Sequence, residues 1–256
     1  MSAPPEERDP PVADSGVWQQ VEFGSYAADL PLWLELAEQA NGPILELGAG
    51  SGRVALHLAE HGHQVIALEG DPDLIAELER SAAKLGGSVT AVRADLASAS
   101  QLELPAPPTL AIGPLHVVQV LDSSARPALL GRLLQLIAPG GQVGLTVVDE
   151  TTLLSAGAAA TQILPDMREV DGWVYSSEAL WVQVGEDALT VRRVRERVSP
   201  EGAMQRSIHD EVLNRVSPER LEIEAEDVGF RPAGRRQISS GLNEADSTAV
   251  LLEVPR

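Results

Sequence analysis

Hydrophobic and polar positions in the first 148 residues form short apolar runs separated by amphipathic stretches. The runs have the length of buried strands, and the stretches between them follow a helical period. Strands are predicted at Ile44–Leu47, at a run that ends at Leu68, and at Val89–Val92, Thr109–Ile112 and Gln142–Val148. Helices are predicted within 17–39, interrupted at Pro31, and at 53–60, 71–84 and 126–137. This alternation indicates a parallel sheet with helices on both faces.

The pattern changes after residue 150, where strand-like segments follow one another without helices between them. They are predicted at 173–176, 179–184, 188–198 and 203–216, with turn residues between them. Imperfect alternation in the third segment favours a half-buried antiparallel strand. Trp173 and Tyr175 open this region and are the aromatic side chains that we expect to line a pocket. The segment 150–216 is therefore predicted to be an inserted antiparallel β lid.

The end of the chain returns to the first pattern. A helix is predicted from Ser217 to about Gly229, and two strands follow at about Arg235–Ile238 and Thr248–Val254. These elements complete a core domain that we expect to comprise 18–149 and 217–256. The first 17 residues are rich in proline and acid, and they are predicted to form a disordered tail rather than a signal peptide.

The segment Ile44–Gly52 reads ILELGAGSG and joins a buried strand to a turn with almost no side-chain bulk. Its glycines allow a ligand to approach the backbone closely before the next helix begins. The dinucleotide fingerprint G-x-G-x-x-G does not fit, because Arg53 occupies the position that needs the third glycine. Glu46 precedes the first glycine, and its carboxylate suits a ligand that carries an amine or a positive charge.

This loop resembles the cofactor loop of class I S-adenosylmethionine-dependent methyltransferases, and later segments match that family in order. A second strand ends in Glu69, a third is followed by Asp95, and 136–148 resembles the loop and fifth strand. The resemblance implies a Rossmann-like α/β fold with a mostly parallel seven-stranded sheet. It also implies S-adenosyl-L-methionine as cofactor and S-adenosyl-L-homocysteine as product. The implied cofactor-binding residues are Tyr26, Glu46, Gly48, Ala49, Gly50, Gly52, Glu69, Gly70, Asp95, Leu96 and Gly113.

Each implied role has a plainer structural alternative. By the resemblance, Glu46 faces the amino end of the methionine part, and Glu69 accepts hydrogen bonds from the ribose hydroxyls. Asp95 accepts a hydrogen bond from the adenine amino group, beside the backbone of Leu96. The two later acids could instead be ordinary helix-start or loop acids. Tyr26 could line the cofactor pocket or be a half-buried aromatic residue on an amphipathic helix.

A candidate catalytic group follows the fourth predicted strand, at the edge where open α/β sheets bind ligands. Gly113 there would let the sulfur end of the cofactor lie against the backbone. His116 could remove a proton from a nucleophile, or it could simply pack against or cap a helix. His209, in a predicted lid strand, is an alternative base. His57 and His61 have a metal-ligand spacing but no convincing third ligand, so we expect no metal.

Composition narrows the function further. The chain has 256 residues, no cysteine and a formal net charge of −19. The lack of cysteine excludes thiolate chemistry, and the acidic balance disfavours phosphate backbones, so no nucleic-acid substrate is expected. No apolar run approaches the roughly 20 residues that span a membrane, so no membrane partner is expected. A cytoplasmic location is the resulting expectation.

The sequence therefore predicts a methyltransferase that modifies an N or O nucleophile of a small molecule. The lid would exclude water from the reacting sulfonium. One alternative is a non-catalytic module that has kept the cofactor pocket, and it would bind cofactor without turnover. Another is a nicotinamide-dependent oxidoreductase, which Arg53 disfavours. The acceptor and the oligomeric state stay open.

Overall fold

The computed structural model describes residues 14–148, 165–239 and 245–256. These ranges contain the strands β1 (Ile44–Leu47), β2 (Val65–Glu69), β3 (Val89–Arg93), β4 (Leu110–Gly113), β5 (Gln142–Val148), β6 (Asp166–Val170), β7 (Trp173–Val184), β8 (Ala188–Val198), β9 (Met204–Asn214), β10 (Arg231–Ile238) and β11 (Ser247–Glu253). Seven of them form one sheet in the order β10-β11-β5-β4-β1-β2-β3. Strands β1 to β5 are parallel to one another, whereas β11 runs antiparallel to β5 and to β10. The predicted seven-stranded, mostly parallel sheet is confirmed.

Helices cover both faces of this sheet. The α-helices of the described residues are α1 (Asp14–Phe23), α2 (Leu30–Gln39), α3 (Arg53–Glu60), α4 (Pro72–Ala82), α5 (Ala125–Leu136) and α6 (Pro218–Val228), of which α1 packs against the second sheet described below. Helices α5 and α6 pack into one apolar cluster, whereas α2, α3 and α4 pack into another on the opposite face. The four residues of β1 are all buried, as expected for an apolar strand covered on both sides.

Helix α4 begins where the sequence places its start. The side chain of Asp71 accepts hydrogen bonds from the backbone N–H groups of Asp73 at 2.8 Å and Leu74 at 3.4 Å. Pro72 occupies the first helical position, where no donor is needed. Because this helix follows β2 directly, its N-terminus and the end of β2 lie together at the carboxyl edge of the sheet.

The inserted region forms a second, antiparallel sheet in the order β6-β7-β8-β9. Leu189 and Leu213 of this sheet pack against Val148 at the end of β5. Trp173 and Tyr175 pack against α1, and the Tyr175 ring meets that of Trp18 edge-on at 5.2 Å between centroids. This second sheet, β6 to β9, is called the lid sheet below. It is attached to the core at both the end of β5 and the first helix.

Some boundaries differ from the sequence predictions. Strand β7 is a single strand of 12 residues that joins two predicted segments, with a register shift between Ala179 and Trp181. Strand β6 was not predicted, because its residues are mostly charged or exposed. Residues 14–17 belong to α1 rather than to a disordered tail. The remainder of the predicted tail, 1–13, and the lid residues 150–164 lie outside the described residues.

Candidate functional site

The glycine loop after β1 has a left-handed backbone at each of its alternate positions. Gly48, Gly50 and Gly52 have φ values of 63°, 58° and 100°. A Cβ atom on Gly48 would lie 2.5 Å from the Val117 side chain, and one on Gly52 would lie equally close to that of Leu78. A side chain at Gly48 or Gly52 would therefore have to displace a packed apolar side chain, in addition to straining the backbone.

Glu69 ties this loop to the start of α4. Its Oε2 accepts a hydrogen bond from the backbone N–H of Gly50 at 2.8 Å. Its Oε1 accepts hydrogen bonds from the N–H groups of Gly70 at 2.7 Å and Asp71 at 2.9 Å. A carboxylate has about four lone-pair positions, so these three hydrogen bonds leave room for about one more. A ligand diol that bonded both oxygens would compete with the loop amides.

Glu46 is buried at the base of the loop and is only 2% exposed. Its Oε2 has no hydrogen-bond partner among the described residues. Burial raises the pKa of this carboxyl to about 8, although the charge of Arg53 and the backbone of Ala55 lower it; nearby Asp29 raises it further. A buried acid without a partner is costly, and a bound cation would remove that cost by favouring its charged form.

Helix α1 covers the loop through Gln19. The Gln19 side-chain oxygen accepts a hydrogen bond from the N–H of Ser51 at 2.6 Å, and a Cβ on Gly50 would collide with the same amide. A cavity of about 50 Å³ remains here, lined by Glu46, Arg53 and Leu115 among others. The Gln19 amide thus occupies the space directly against Gly50 and Ser51. A ligand that contacted these two residues would have to displace it.

Arg53 lines this cavity, and its guanidinium is fixed by residues outside the cavity lining. Its guanidinium forms a bidentate pair with Asp29 at 2.6 and 2.7 Å and donates to the carbonyl oxygen of Tyr26 at 3.0 Å. The Tyr26 ring lies beneath the guanidinium, 5.1 Å from its central carbon, and is buried. Trp33 donates a further hydrogen bond to Asp29. Tyr26 thus supports a cavity-lining side chain and does not itself line the cavity.

The other predicted cofactor residues follow β3 and β4. Asp95 is exposed and accepts a hydrogen bond from the N–H of Ala97 at 2.9 Å, while Leu96 beside it is half-buried. The loop after β3 lies next to the loop after β2, since Ala94 donates to the carbonyl of Glu69. At Gly113 a Cβ would lie 2.8 Å from Leu145. All the predicted cofactor residues except Tyr26 thus lie in the carboxyl-terminal parts of β1, β2 and β4 or in the segments that follow β1, β2 and β3, at one edge of the sheet.

The turn after β4 carries His116 in a strained conformation. Leu115 and His116 both have a left-handed backbone, with φ values of 48° and 51°. Residues other than glycine rarely adopt this conformation. Thr146, buried in β5, holds the turn: its hydroxyl accepts from the N–H of His116 at 3.1 Å and donates to the carbonyl of Gly113 at 3.0 Å. The strain is therefore maintained by the neighbouring strand.

The lid supplies a partner for this histidine. The Nε2 atom of His116 lies 3.1 Å from Oε1 of Glu211 on β9. Their side chains are 18% and 25% exposed. Burial raises the pKa of Glu211, but the hydrogen bond with His116 and the charges of Arg193 and His209 outweigh burial and hold the pKa below its usual value. Glu211 is therefore ionised and accepts the His116 hydrogen bond.

Other polar groups lie on the same face of the lid sheet. His209 is two residues before Glu211 on β9, and burial and the charge of Arg195 lower its pKa. Arg193 lies opposite His209 in the register of β8 and β9 and is 3.5 Å from Asp166. Because β-strand side chains alternate, these residues face the core together with Glu211. The inner surface of the lid beside His116 is therefore polar.

Three residues near the site were not predicted from the sequence: Gln19, Thr146 and Glu211. Gln19 lies in a segment predicted only as helical, and Thr146 lies in the apolar run of β5. Glu211 follows Asp210, and nothing in the sequence distinguishes it from that exposed neighbour; only the strand register shows which acid faces the core. In the described residues, no group of three or more His, Asp or Glu side chains could hold a metal ion.

Comparison with known proteins agrees with this architecture. Residues 44–141, from β1 to the loop before β5, match a family model described as a methyltransferase domain. A curated relative, ribosomal RNA small subunit methyltransferase A from Kineococcus radiotolerans, is 38% identical over 106 residues, which are 41% of this chain and 33% of the relative. The chain therefore spans about a third of the length of this relative.

Solved structures match nearly the whole chain. A S-adenosylmethionine-dependent methyltransferase from Clostridium acetobutylicum gives a TM-score of 0.71 at 12% identity, covering 94% of this chain and 97% of that one. The sugar N-methyltransferase KedS8 from Streptoalloteichus sp gives 0.72 at 14% identity, covering 98% and 97%. CalS10, an amino pentose methyltransferase from Micromonospora echinaspora, gives 0.66 at 14%, covering 97% and 100%. The resemblance to class I methyltransferases is confirmed for the domain and the fold.

Proposed function

We propose that this chain transfers a methyl group from S-adenosyl-L-methionine to a nitrogen or oxygen nucleophile of a small polar molecule. The observation that carries the proposal is Glu46, a buried carboxyl whose Oε2 has no partner in the described part of the chain. It lies beneath a glycine loop at the carboxyl edge of a methyltransferase domain. A ligand with a cationic amino end would supply the missing partner.

The residues present fit this cofactor. Glu46 would receive its amino group, the backbone of Gly48 and Gly50 would admit it closely, and Glu69 would accept from a ribose hydroxyl. Asp95 and Leu96 would address the adenine ring. When bound, the cofactor supplies an activated methyl group on a positively charged sulfur. Oriented binding can account for roughly 7–11 kcal/mol of such a displacement barrier.

The remaining chemistry belongs to the acceptor. His116 stands at the sheet edge beside the cavity-lining Leu115 and is held by Thr146, where it can take the proton that an amine or hydroxyl loses. Across from it, the inner face of the lid carries Arg193, His209 and Glu211. This polar surface suits an acceptor rich in hydrogen-bonding groups. Sugar and amino pentose methyltransferases among the fold neighbours give the same direction.

The curated relative acts on ribosomal RNA, but its match spans only part of both proteins. The net charge of −19 opposes an RNA substrate, because RNA binding relies on lysine and arginine to neutralise phosphates. A small acceptor needs no such surface.

Of the described helices, none is long and apolar enough to cross a membrane.

Calorimetry tests the cofactor site through Glu46. At pH 7 a carboxyl with a pKa of about 8 is mostly protonated, so binding a cationic amino end should release close to one proton. We expect micromolar binding of S-adenosyl-L-methionine, with an enthalpy that depends on the ionisation enthalpy of the buffer. Glu46→Gln should remove the buffer dependence. If neither S-adenosyl-L-methionine nor S-adenosyl-L-homocysteine binds, the proposed function is wrong.

A second test separates enzyme from binding module. A panel of amino sugars, other small amines and phenols is incubated with cofactor that carries a labelled methyl group. Transfer to one class identifies the acceptor, whereas cofactor binding with no transfer to any acceptor supports the non-catalytic alternative. Glu69→Ala should weaken both cofactor and product by a similar factor of about ten or more, because the carboxylate would contact the part that the two ligands share. Exposed Glu186→Gln is the matched control.

A further inference from the structure

The pair formed by His116 and Glu211 joins the core to the lid. His116 lies on the turn after β4, and Glu211 lies on β9, 95 residues later in the chain. The contact uses Nε2 of the ring. An ionised carboxylate has no hydrogen to donate, so Glu211 acts here as the acceptor. In the neutral ring, Nε2 must then carry the hydrogen, and Nδ1 keeps the basic lone pair.

We propose that Glu211 is a positioning residue for His116, the base that takes a proton from the methyl acceptor. By accepting a hydrogen bond from Nε2–H of His116, Glu211 presents Nδ1 as the atom that takes this proton. This inference rests on the proposed function. In the step, the acceptor nitrogen or oxygen forms a bond to the methyl carbon, and the carbon–sulfur bond breaks with its electron pair left on sulfur. The acceptor proton moves to Nδ1, and the resulting imidazolium is stabilised by the Glu211 carboxylate.

Other interactions fix the positions of both residues of the pair, which distinguishes it from a chance surface contact. The backbone of His116 is held in its strained conformation by Thr146, so only the ring orientation is left to be fixed. Asn214, three residues after Glu211, donates to the carbonyl of Gln119 at 3.1 Å and so anchors β9 over the same turn. The two ends of the contact are therefore placed by independent interactions.

The pair also makes the base depend on the lid. His116 alone would have a freely rotating ring, with either nitrogen protonated. Strand β9 supplies the anion that selects one tautomer and orientation, so the base is complete only when the lid sheet covers the core. Arg193 from β8 and His209 from β9 are the charged or titratable groups that act on Glu211 besides His116. Neither is an anion that could replace it.

Nitrogen-15 NMR of the imidazole rings tests the tautomer without any acceptor. The His116 signals are assigned by comparison with His116→Asn in the full-length protein labelled at histidine. At a pH where the ring is neutral, we expect Nε2–H in the wild type, and a mixture of tautomers or free rotation in Glu211→Leu, whose side chain neither donates nor accepts a hydrogen bond. Asp210→Asn, which alters the adjacent exposed acid, should leave the spectrum unchanged. A wild-type ring with Nδ1–H, or the same single tautomer in Glu211→Leu, would overturn the inference.

Kinetics then tests the catalytic consequence on the panel acceptor with the highest turnover. Glu211→Gln should lower kcat by roughly tenfold to a hundredfold and leave cofactor affinity within about twofold. The acidic limb of the kcat/KM profile should move to lower pH, because the anion that favours the protonated ring is gone. Glu211→Asp should restore part of the rate. An unchanged kcat and pH profile in a folded Glu211→Gln variant would refute the role.

The two proposals fail in different ways. If the wild type binds no cofactor or methylates no acceptor, the proposed function fails, and the ring tautomer still decides whether Glu211 positions His116. If the wild type is active and Glu211→Gln is equally active, only the positioning role fails. Near-ultraviolet circular dichroism of each variant separates a folded protein from one that has lost its structure.

Discussion

At the scale of single residues, the energetics of the site centre on buried charge. Glu46 is almost fully buried, has an unpartnered oxygen among the described residues and has a pKa of about 8. Asp29 is equally buried, but Arg53 and Trp33 satisfy it. We propose that this difference separates a structural acid, Asp29, whose partners are built into the fold, from a binding acid, Glu46, whose partner arrives with the ligand.

This difference predicts how stability depends on pH without ligand. The folded-state pKa of Glu46 is raised, so its contribution is present below the unfolded value near 4.5 and is lost as pH rises through about 8. Between pH 6 and 9 the wild type should lose about 2 kcal/mol more than Glu46→Gln. Urea denaturation at several pH values measures this, with Glu186→Gln as control. Equal pH dependence in wild type and Glu46→Gln would show that the carboxyl is ionised throughout.

Single residues of the site differ in how far they could be predicted from sequence. The glycines, Glu46 and Glu69 could be predicted as cofactor-binding residues because each belongs to a short segment with a fixed spacing at the end of a strand. Gln19 and Glu211 were not found, because each reaches the site from an element far away in the chain. Their positions depend on how α1 and the lid sheet pack, which no local pattern encodes.

At the scale of elements, the turn between β4 and the 3-10 helix at 117–119 stores strain that β5 maintains. Two consecutive residues, Leu115 and His116, adopt a left-handed backbone, which costs on the order of 1 kcal/mol each. Thr146 is the side chain on β5 that bonds this turn on both sides. The prediction of strand β5 was correct, but the support that Thr146 gives to the turn of His116 was not visible in the apolar pattern of this strand.

Replacing Thr146 should loosen the turn that carries His116, the proposed base. Thr146→Val keeps the volume of the side chain and removes both hydrogen bonds, leaving a buried carbonyl and a backbone N–H unpaired. We expect a loss of about 1–3 kcal/mol in the free energy of unfolding and a lower kcat with little change in cofactor affinity. Thr146→Ser keeps the hydroxyl and should retain most of the activity. Equal kcat values for the valine and serine variants would contradict this account.

At the scale of the whole molecule, α1 connects the glycine loop after β1 to the lid sheet. Gln19 accepts from the N–H of Ser51 in the loop, while Glu22 on the same helix is 3% exposed and bonds Arg195 and Ser177 of the lid sheet. The helix was predicted, but only as one of two helical segments before β1. Its partners could not be predicted, because the contacts join residues more than 150 positions apart.

This connection predicts that ligand binding in the core is transmitted to the lid. A ligand that contacted Gly50 and Ser51 would displace Gln19 from the loop, and we expect α1 to carry that movement to Arg195 and Ser177 through Glu22. Hydrogen exchange of residues 173–198 should therefore change when S-adenosyl-L-homocysteine binds the wild type. Glu22→Gln removes the charge that holds Arg195, so the change in the lid should shrink while the glycine loop responds as before. Exposed Glu178→Gln, on a lid strand, should behave like the wild type. If the lid of Glu22→Gln responds fully, α1 does not couple the two regions.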